Sequence, residues 1–401
     1  MKLTRRSILK SGPALAALSW TTPSWATPET SKKHSSFDPW IEVHEGNVRH
    51  NVSEISRRVS GRPIMAVIKN NGYGAGIVNI ARILEPLSEV AGLAVVKLQE
   101  AMTLRDGGIR KPILLMGPFD EKNLEDAVAR DITPMIYTPF GDALDRIAAK
   151  HQKKISIHIC VDTGIGRVGV PYWEAETLIR DLAGRSAVKV EGTMMTFTED
   201  QEFDKEQLRR FNTLCGSLEG EGLGLGLKHA TSSYGLFRNP DSFMDMVRPG
   251  MAIFGVYSES DFRKAGVIDL RPALGLKAKV IYVKRLRKDD GAGYNRAYVA
   301  ENPVWVATIP VGHTDGWPRA AAKGAKVRIG GQMYPVIATV SASHSIVEVG
   351  AESRVSIGDE VTVFDWEDGS RPEDVSESCK SSVYDLTMHL NPLLPRRMIE
   401  G

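Results

Sequence analysis

The chain has 401 residues, 42% of them hydrophobic and 25% charged, a composition that suits a globular protein with room for a barrel plus an accessory domain. A formal net charge of +2, with much of the clustered positive charge in the first ten residues, leaves no general basic surface for nucleic acid. Three cysteines, Cys160, Cys215 and Cys379, are too few and too scattered for a zinc cluster or a disulfide framework, so no metal is expected and at most one bridge could form.

The N-terminus reads as an address. Thr4 to Lys10 spell TRRSILK, a twin-arginine pair followed by a short apolar step and a lysine. A weakly apolar segment from Ser11 to Trp20 follows, too short to span a bilayer, which needs ~20 residues. Ser24-Trp25-Ala26 places small residues at the two positions a signal peptidase reads, so residues 1–26 are expected to be a twin-arginine signal peptide cleaved after Ala26. The expectation that follows is a periplasmic or exported protein that meets the twin-arginine machinery. Residues 27–37 form a polar leader, and residues 38–50 hold a strand expected to join the C-terminal domain.

Over residues 51–268, short apolar runs alternate with amphipathic stretches. The runs are Ile64 to Ile68, Gly92 to Val96, Pro112 to Met116, Pro134 to Tyr137, Ile155 to Val161 and Val188 to Met195, with weaker candidates near Leu227 and near Ala252. Between them, Leu98 to Asp106, Glu121 to Arg130, Phe140 to Lys150 and Asp204 to Glu219 have helical spacing. This rhythm predicts an α/β chain folded as a (β/α)8 TIM-type barrel, whose chemistry gathers at the C-terminal ends of the strands. From about Pro272 the pattern changes to short alternating strands, Leu276 to Leu286, Pro303 to Pro310, Ala325 to Ile329, Val336 to Val340, Ser345 to Val349 and Glu360 to Asp365. Residues 269–401 are therefore expected to be a mostly β C-terminal domain.

One lysine stands out. Lys69 ends the first apolar run in MAVIKNNGYGAG, where desolvation disfavours its charge, and a lysine that loses its proton readily can condense with a carbonyl in Schiff-base chemistry. A lone lysine at a strand end more often simply emerges into solvent, so the rest of the chain has to decide between the two.

Four motifs in order decide it. AVIKNNGYGAG, VDTGIGRVG, MVRPGMAIFG, and AGYNRAY followed by PVGHTDGWPR together resemble the alanine racemase family, pyridoxal 5'-phosphate enzymes of fold type III, over essentially the whole mature chain. The resemblance implies that Lys69 holds the cofactor and acts as a base on one face of the substrate. Tyr294 is implied as the second catalytic residue, a phenol reaching the opposite face from the neighbouring subunit, hence a homodimer with shared active sites. Two bases on opposite faces are what inversion at Cα requires. Arg248 matches the arginine facing the pyridine nitrogen, a permanently charged donor that limits side reactions. Gly250 and Met251 match the backbone of the phosphate loop, Ser233 a serine of the phosphate cradle, and Tyr73 a tyrosine beside the phosphate. Arg167 matches a residue that holds the Tyr hydroxyl and cofactor or the substrate carboxylate, a task suited to a bidentate guanidinium, and Ala342 falls within a stretch that lines the substrate pocket. His313 lies where the family usually has an entrance tyrosine, and no catalytic role is expected of it.

The departures from the pattern have a common direction. Thr196 stands in place of a histidine that stacks on the cofactor, and Cys160 in place of a lysine, commonly carboxylated, that positions Arg167. Ser341, Ala342 and Ser343 replace a Cys-Met-Asp stretch, and Pro392 replaces a phosphate-binding tyrosine. Smaller groups at these places widen the pocket and weaken steric rejection, which leads to the expectation of a racemase acting on amino acids beyond alanine. Two other readings keep Lys69 and the barrel: an aldolase or dehydratase acting on D-amino acids, which usually needs a metal in the second domain, and a cofactor-binding protein that has lost catalysis.

Overall fold

A computed structural model describes residues 36–400; the export signal expected over residues 1–26, and nearly all of the leader at 27–37, lie outside the described residues. Seven strands, Ile64–Val67, Val90–Val95, Ile113–Leu115, Ile132–Ile136, Ile155–Asp162, Val188–Met194 and Leu227–His229, lie side by side in chain order and pair in parallel. Their almost continuous β-branched and aliphatic burial is what a sheet covered on both faces demands. The eighth barrel position is supplied by Met246 and Val247, through parallel bridges His229↔Met246 and Ile64↔Val247. Met65 N–H donates to the Val247 carbonyl at 2.9 Å and Val67 N–H to the Pro249 carbonyl at 2.9 Å, so the last turn of backbone is laid against the strand that leads to Lys69.

The expected (β/α)8 barrel is therefore the fold, with one correction. The apolar run near Ala252 is a 3-10 helix, Met251–Phe254, rather than a strand. All four of its residues are buried, and a fully apolar run carries no periodicity that separates a buried strand from a buried turn. Between the strands, helices such as Leu98–Asp106, Glu121–Ala129, Gly141–His151 and Gln201–Gly220 turn one apolar face inward. Asp120 and Asp200 begin two of them by accepting backbone N–H groups, from Asn123 and from Glu202 and Phe203 respectively.

The second domain is built on a nine-stranded sheet. In spatial order its strands are Tyr282–Leu286, Val304–Ile309, Ser345–Gly350, Gln332–Ile337, Lys326–Ile329, Glu360–Phe364, Leu274–Lys279, Trp40–His44 and Arg396–Ile399. The run expected as one strand from Leu276 to Leu286 is two, placed far apart in this order. Trp40–His44 runs antiparallel to Leu274–Lys279 and parallel to Arg396–Ile399. The strand ends at His44, whose Nδ1 accepts the Asn47 N–H at 3.2 Å and so starts the helix Glu45–Arg58. The stretch read as strand over 38–50 is thus strand and then helix.

The N-terminal strand is tied to this sheet by buried charge. Lys277 Nζ donates to Thr362 Oγ1 at 2.8 Å, pairs with Asp365 at 3.0 Å and lies 3.9 Å from Glu42 on the Trp40–His44 strand. Arg328 closes on the same Asp365 carboxylate. Asp365 is 1% exposed and pairs with both Lys277 and Arg328, so Asp365→Ala leaves Lys277 with only the carboxylates of Glu42 and Glu360 at 3.9 Å and Arg328 with that of the exposed Glu367. The expected cost is about 2–3 kcal/mol of unfolding free energy, the loss of charge-assisted hydrogen bonds, read from urea titration; a loss below ~1 kcal/mol would show that the cluster is not what holds the junction.

Candidate active site

Lys69 begins one turn of backbone with the opposite hand to an α-helix. Asn70, Asn71, Gly72 and Tyr73 all have positive φ, at 54°, 55°, 62° and 52°. Asparagine and glycine tolerate this region, whereas a consecutive run that includes a tyrosine costs about 1 kcal/mol or more per non-glycine residue. Surrounding bonds hold it: Glu100 Oε1 accepts the Asn71 N–H at 3.0 Å, Asn71 Oδ1 accepts the Ile77 N–H at 3.1 Å, and Arg396 Nε donates to the Gly74 carbonyl at 3.1 Å. The reversal leaves Lys69 half-buried at the barrel mouth. Burial lowers its amine below the ordinary lysine range, the positive charge of Arg167 lowers it further, and Glu100 opposes both.

The same turn drives Tyr73 into the core beside Phe254, with ring centroids 5.1 Å apart. Its phenol stands over Gly250, where an added Cβ would lie 2.3 Å from the phenol oxygen, so only glycine permits this approach. Burial, with Tyr384 nearby, pushes the Tyr73 phenol well above its ordinary value, and it stays protonated. Ser233 Oγ accepts two backbone N–H groups, Gly250 at 2.9 Å and Ala252 at 3.1 Å. With both lone pairs engaged, its own proton points outward to an acceptor. Tyr73, Ser233, Gly250 and Met251 are thus gathered in one place, joined by Ala252, which was not singled out from sequence.

Arg248, 6% exposed, lies deeper. Nη1 donates to His229 Nδ1 at 2.8 Å and to the His229 carbonyl at 2.6 Å, and Nη2 donates to the Met195 carbonyl at 2.6 Å. A guanidinium only donates, so His229 Nδ1 must be the acceptor and His229 Nε2 carries the proton. That proton goes to His158 Nδ1, 2.8 Å away. Both imidazoles are therefore neutral and each has one fixed tautomer. The pair fits only because Gly192 lacks a side chain, since a Cβ there would come within 2.6 Å of His158 Nδ1. Burial lowers Arg248 to about 10, still charged at neutral pH; burial also takes His158 to about 4 and His229 well below its ordinary value.

Arg167 is exposed on the loop after the Ile155–Asp162 strand, a loop that Asp162 shapes by accepting the N–H groups of Gly164 and Gly166. Its charge reaches Lys69, Arg248 and Cys160. Cys160 is buried, donates weakly to the Val168 carbonyl at 3.6 Å and has its thiol pushed up to about 11 by burial, which leaves it a packing residue. Tyr294 and Ala342 belong to the second domain. Tyr294 is 73% exposed, in a turn where Asn295 and Arg296 are left-handed, and Ala342 is exposed beside Thr314, whose hydroxyl donates to its carbonyl at 2.7 Å. Neither is gathered with the barrel-mouth group. Glu100, Tyr384 and His158 are neighbours of the site that sequence reading missed. His158 had no spacing signal, because its partner lies 71 residues away.

A parallel barrel with a half-buried lysine at the strand end, a hydroxyl-and-amide cradle and a buried arginine defines a phosphate-bearing, carbonyl-reactive cofactor site. Family comparison agrees: the model for the alanine racemase N-terminal domain matches residues 43–258 and that for the alanine racemase C-terminal domain residues 273–398. Alanine racemase 2 of Caldanaerobacter subterraneus subsp. tengcongensis is 31% identical over 368 residues, covering 89% of this chain and 93% of that protein. Among solved structures, the alanine racemase of Clostridium difficile superposes with a TM-score of 0.84 at 27% identity, over 90% of this chain and 96% of that one. The alanine racemase from a D-cycloserine-producing Streptomyces lavendulae gives 0.85 at 26% identity, over 90% and 97%. The chain belongs to the alanine racemase family, racemases that depend on pyridoxal 5'-phosphate.

The residues present fit that cofactor. The Ser233 hydroxyl, oriented by the Gly250 and Ala252 amides that donate to its oxygen, and the Tyr73 phenol supply donors for a phosphate, Lys69 supplies the amine, and Arg248 supplies a charged donor that the histidine pair fixes in place. The histidines also leave a mark on stability. His158 binds its proton at about 4 in the folded chain against 6.5 unfolded, so the unfolded state protonates first and stability present above pH 6.5 is lost as pH falls toward 4. The loss from His158 alone reaches about 3 kcal/mol. His158→Gln should flatten this limb of a plot of unfolding free energy against pH; an unchanged slope would refute the assignment of a neutral His158.

Proposed function

We propose that this racemase inverts amino acids by a two-base mechanism in which Lys69 and Tyr294 serve opposite faces of the substrate. The observation that carries the reading is the placement of the Lys69 amine, lowered by burial, at the same barrel mouth as the Ser233 cradle and Arg248. When bound, pyridoxal phosphate supplies the electron sink that makes an amino acid's Cα–H acidic. The Lys69 amine takes or returns the proton on one face, which its lowered affinity for a proton favours. The Tyr294 phenol does the same on the other. Arg167 and the Ala342 backbone hold the substrate carboxylate, fixing Cα between the two bases.

Tyr294 supports a homodimer as the working form. A catalytic phenol that is 73% exposed on its own chain is available to a second subunit, and a homodimer would then have two shared sites. Lys69→Ala should remove the visible band of the bound cofactor. Tyr294→Phe should keep that band and lower kcat/KM by roughly 100- to 10,000-fold, with solvent deuterium entering Cα from one enantiomer much more slowly than from the other. Unchanged racemisation in Tyr294→Phe would end the two-base reading.

The substrate range is proposed to extend past alanine. Thr196, Ala342, Ser343 and Pro392 support this, being smaller groups than those the family pattern has at these positions; Pro392 is exposed. A site with less steric rejection admits longer side chains. Initial rates on L-Ala, L-Ser, L-Met, L-Lys and L-Arg should show several substrates within about 200-fold of one another, the range that shape discrimination alone spans; turnover of L-Ala alone would refute this. The Arg5-Arg6 pair and Ser24-Trp25-Ala26 support export through the twin-arginine route to the periplasm, a location where free D-amino acids act on the cell envelope.

A further inference from the structure

Arg396 is a cation with an unusual set of partners. Nε donates to the Gly74 carbonyl at 3.1 Å; Nη1 donates to the carbonyls of Asn391 at 3.0 Å and Pro392 at 2.8 Å and also to that of Leu394. Nη2 is buried without a hydrogen-bond partner. Burial lowers the group to about 10, and among the described residues no carboxylate pairs with it to offset this. A buried guanidinium satisfied only by carbonyl oxygens is costly, so its position calls for a compensating role.

Its acceptors supply that role. Asn391, Pro392 and Leu394 form the turn before the last strand, and Gly74 follows directly on the left-handed run Asn70–Tyr73. The same C-terminal segment reaches that run at a second point, where Asn70 Nδ2 donates to Met388 Sδ at 3.6 Å. It is also fastened to the second domain, through the Asn391 N–H on the Asp315 carbonyl. Strained backbone persists only where its surroundings over-determine it. Glu100 holds the run from the barrel side, and the C-terminal segment holds it from the other.

We propose that Arg396 is a positioning residue for Lys69: by clamping the Gly74 carbonyl to the C-terminal turn, it keeps the left-handed loop, and so the reactive amine, in place. This rests on Lys69 being the cofactor lysine. The role differs from simple packing of the last strand, because it predicts a local effect at residues 70–76.

The test compares wild type, Arg396→Met and Arg396→Lys as full-length purified proteins. Lysine keeps the charge but cannot span four carbonyls with a single ammonium, so this variant is expected to fold even where Arg396→Met does not. Hydrogen exchange of the Asn70–Gly76 amides, measured on cofactor-free protein, should quicken about ten-fold in either variant, the factor that loss of a charge-assisted hydrogen bond implies. Exchange in the Glu45–Arg58 helix should not change. The pH at which Lys69 becomes labelled by an amine-reactive acylating reagent in the same preparations should shift with the loop. In the loaded enzyme kcat should fall more than KM rises. Equal exchange at 70–76 and an unchanged labelling profile, with only a lower melting temperature, would reduce Arg396 to a structural residue and overturn the proposal. Failure of Lys69→Ala to abolish the cofactor band would instead overturn the underlying assignment of Lys69, whatever Arg396 does.

Discussion

An ammonium group gives up its proton more readily where water has been withdrawn from it, and withdrawal of water is the main thing the barrel mouth does to Lys69. Much else at the mouth follows from this constraint. The amine sits at the end of a strand buried on both faces, which removes solvent, and beside Arg167, whose charge acts in the same direction. The Glu100 carboxylate that supports the loop works against both, so the loop's main brace on the barrel side also limits how far the amine is perturbed. A single side chain thus ties the backbone strain of Asn70–Tyr73 to the acidity of the lysine that precedes it.

A second balance operates around Arg248. A guanidinium this deeply buried would ordinarily need a carboxylate, yet its partners are three main-chain carbonyls and a neutral imidazole. This choice matters chemically. A carboxylate here would neutralise the cation and accept a proton; a neutral histidine relay leaves the charge in place and the hydrogen-bond pattern fixed. Arg248 is therefore a donor that does not give up its proton at neutral pH.

The sequence made the scaffold legible wherever periodicity was strong. Glu121–Ala129 and Gly141–His151 have clear apolar faces, and the barrel strands are short β-branched runs, so the (β/α)8 rhythm and the position of Lys69 could be read directly. It misled where periodicity was absent: Met251–Phe254 is apolar throughout, and nothing in four buried residues distinguishes a 3-10 turn from a strand. The contacts that complete the site were harder still. Glu100 looks like an ordinary helix N-terminal acid, and the His158–His229 pair and the Arg396–Gly74 bond connect positions 71 and 322 residues apart. Such pairs exist only because the barrel and the nine-stranded sheet bring segments distant in sequence together, and no local pattern encodes them.

The two-domain arrangement gives that closure a purpose. The first described strand and the last are neighbours in one sheet, so the described residues begin and end in the second domain while the barrel lies between. From the last strand, Arg396 reaches back to the loop that carries Lys69, and from the same domain the turn bearing Tyr294 projects outward. Within the chain, the last strand of the second domain braces the loop that follows Lys69, and a two-stranded ribbon of the same domain, Gly291–Ala292 with Tyr298–Val299, carries the exposed Tyr294. That ribbon is a sheet separate from the one that carries Arg396, so the brace on the Lys69 loop and the presentation of Tyr294 are set by different hydrogen-bond ladders, and each can shift without breaking the other.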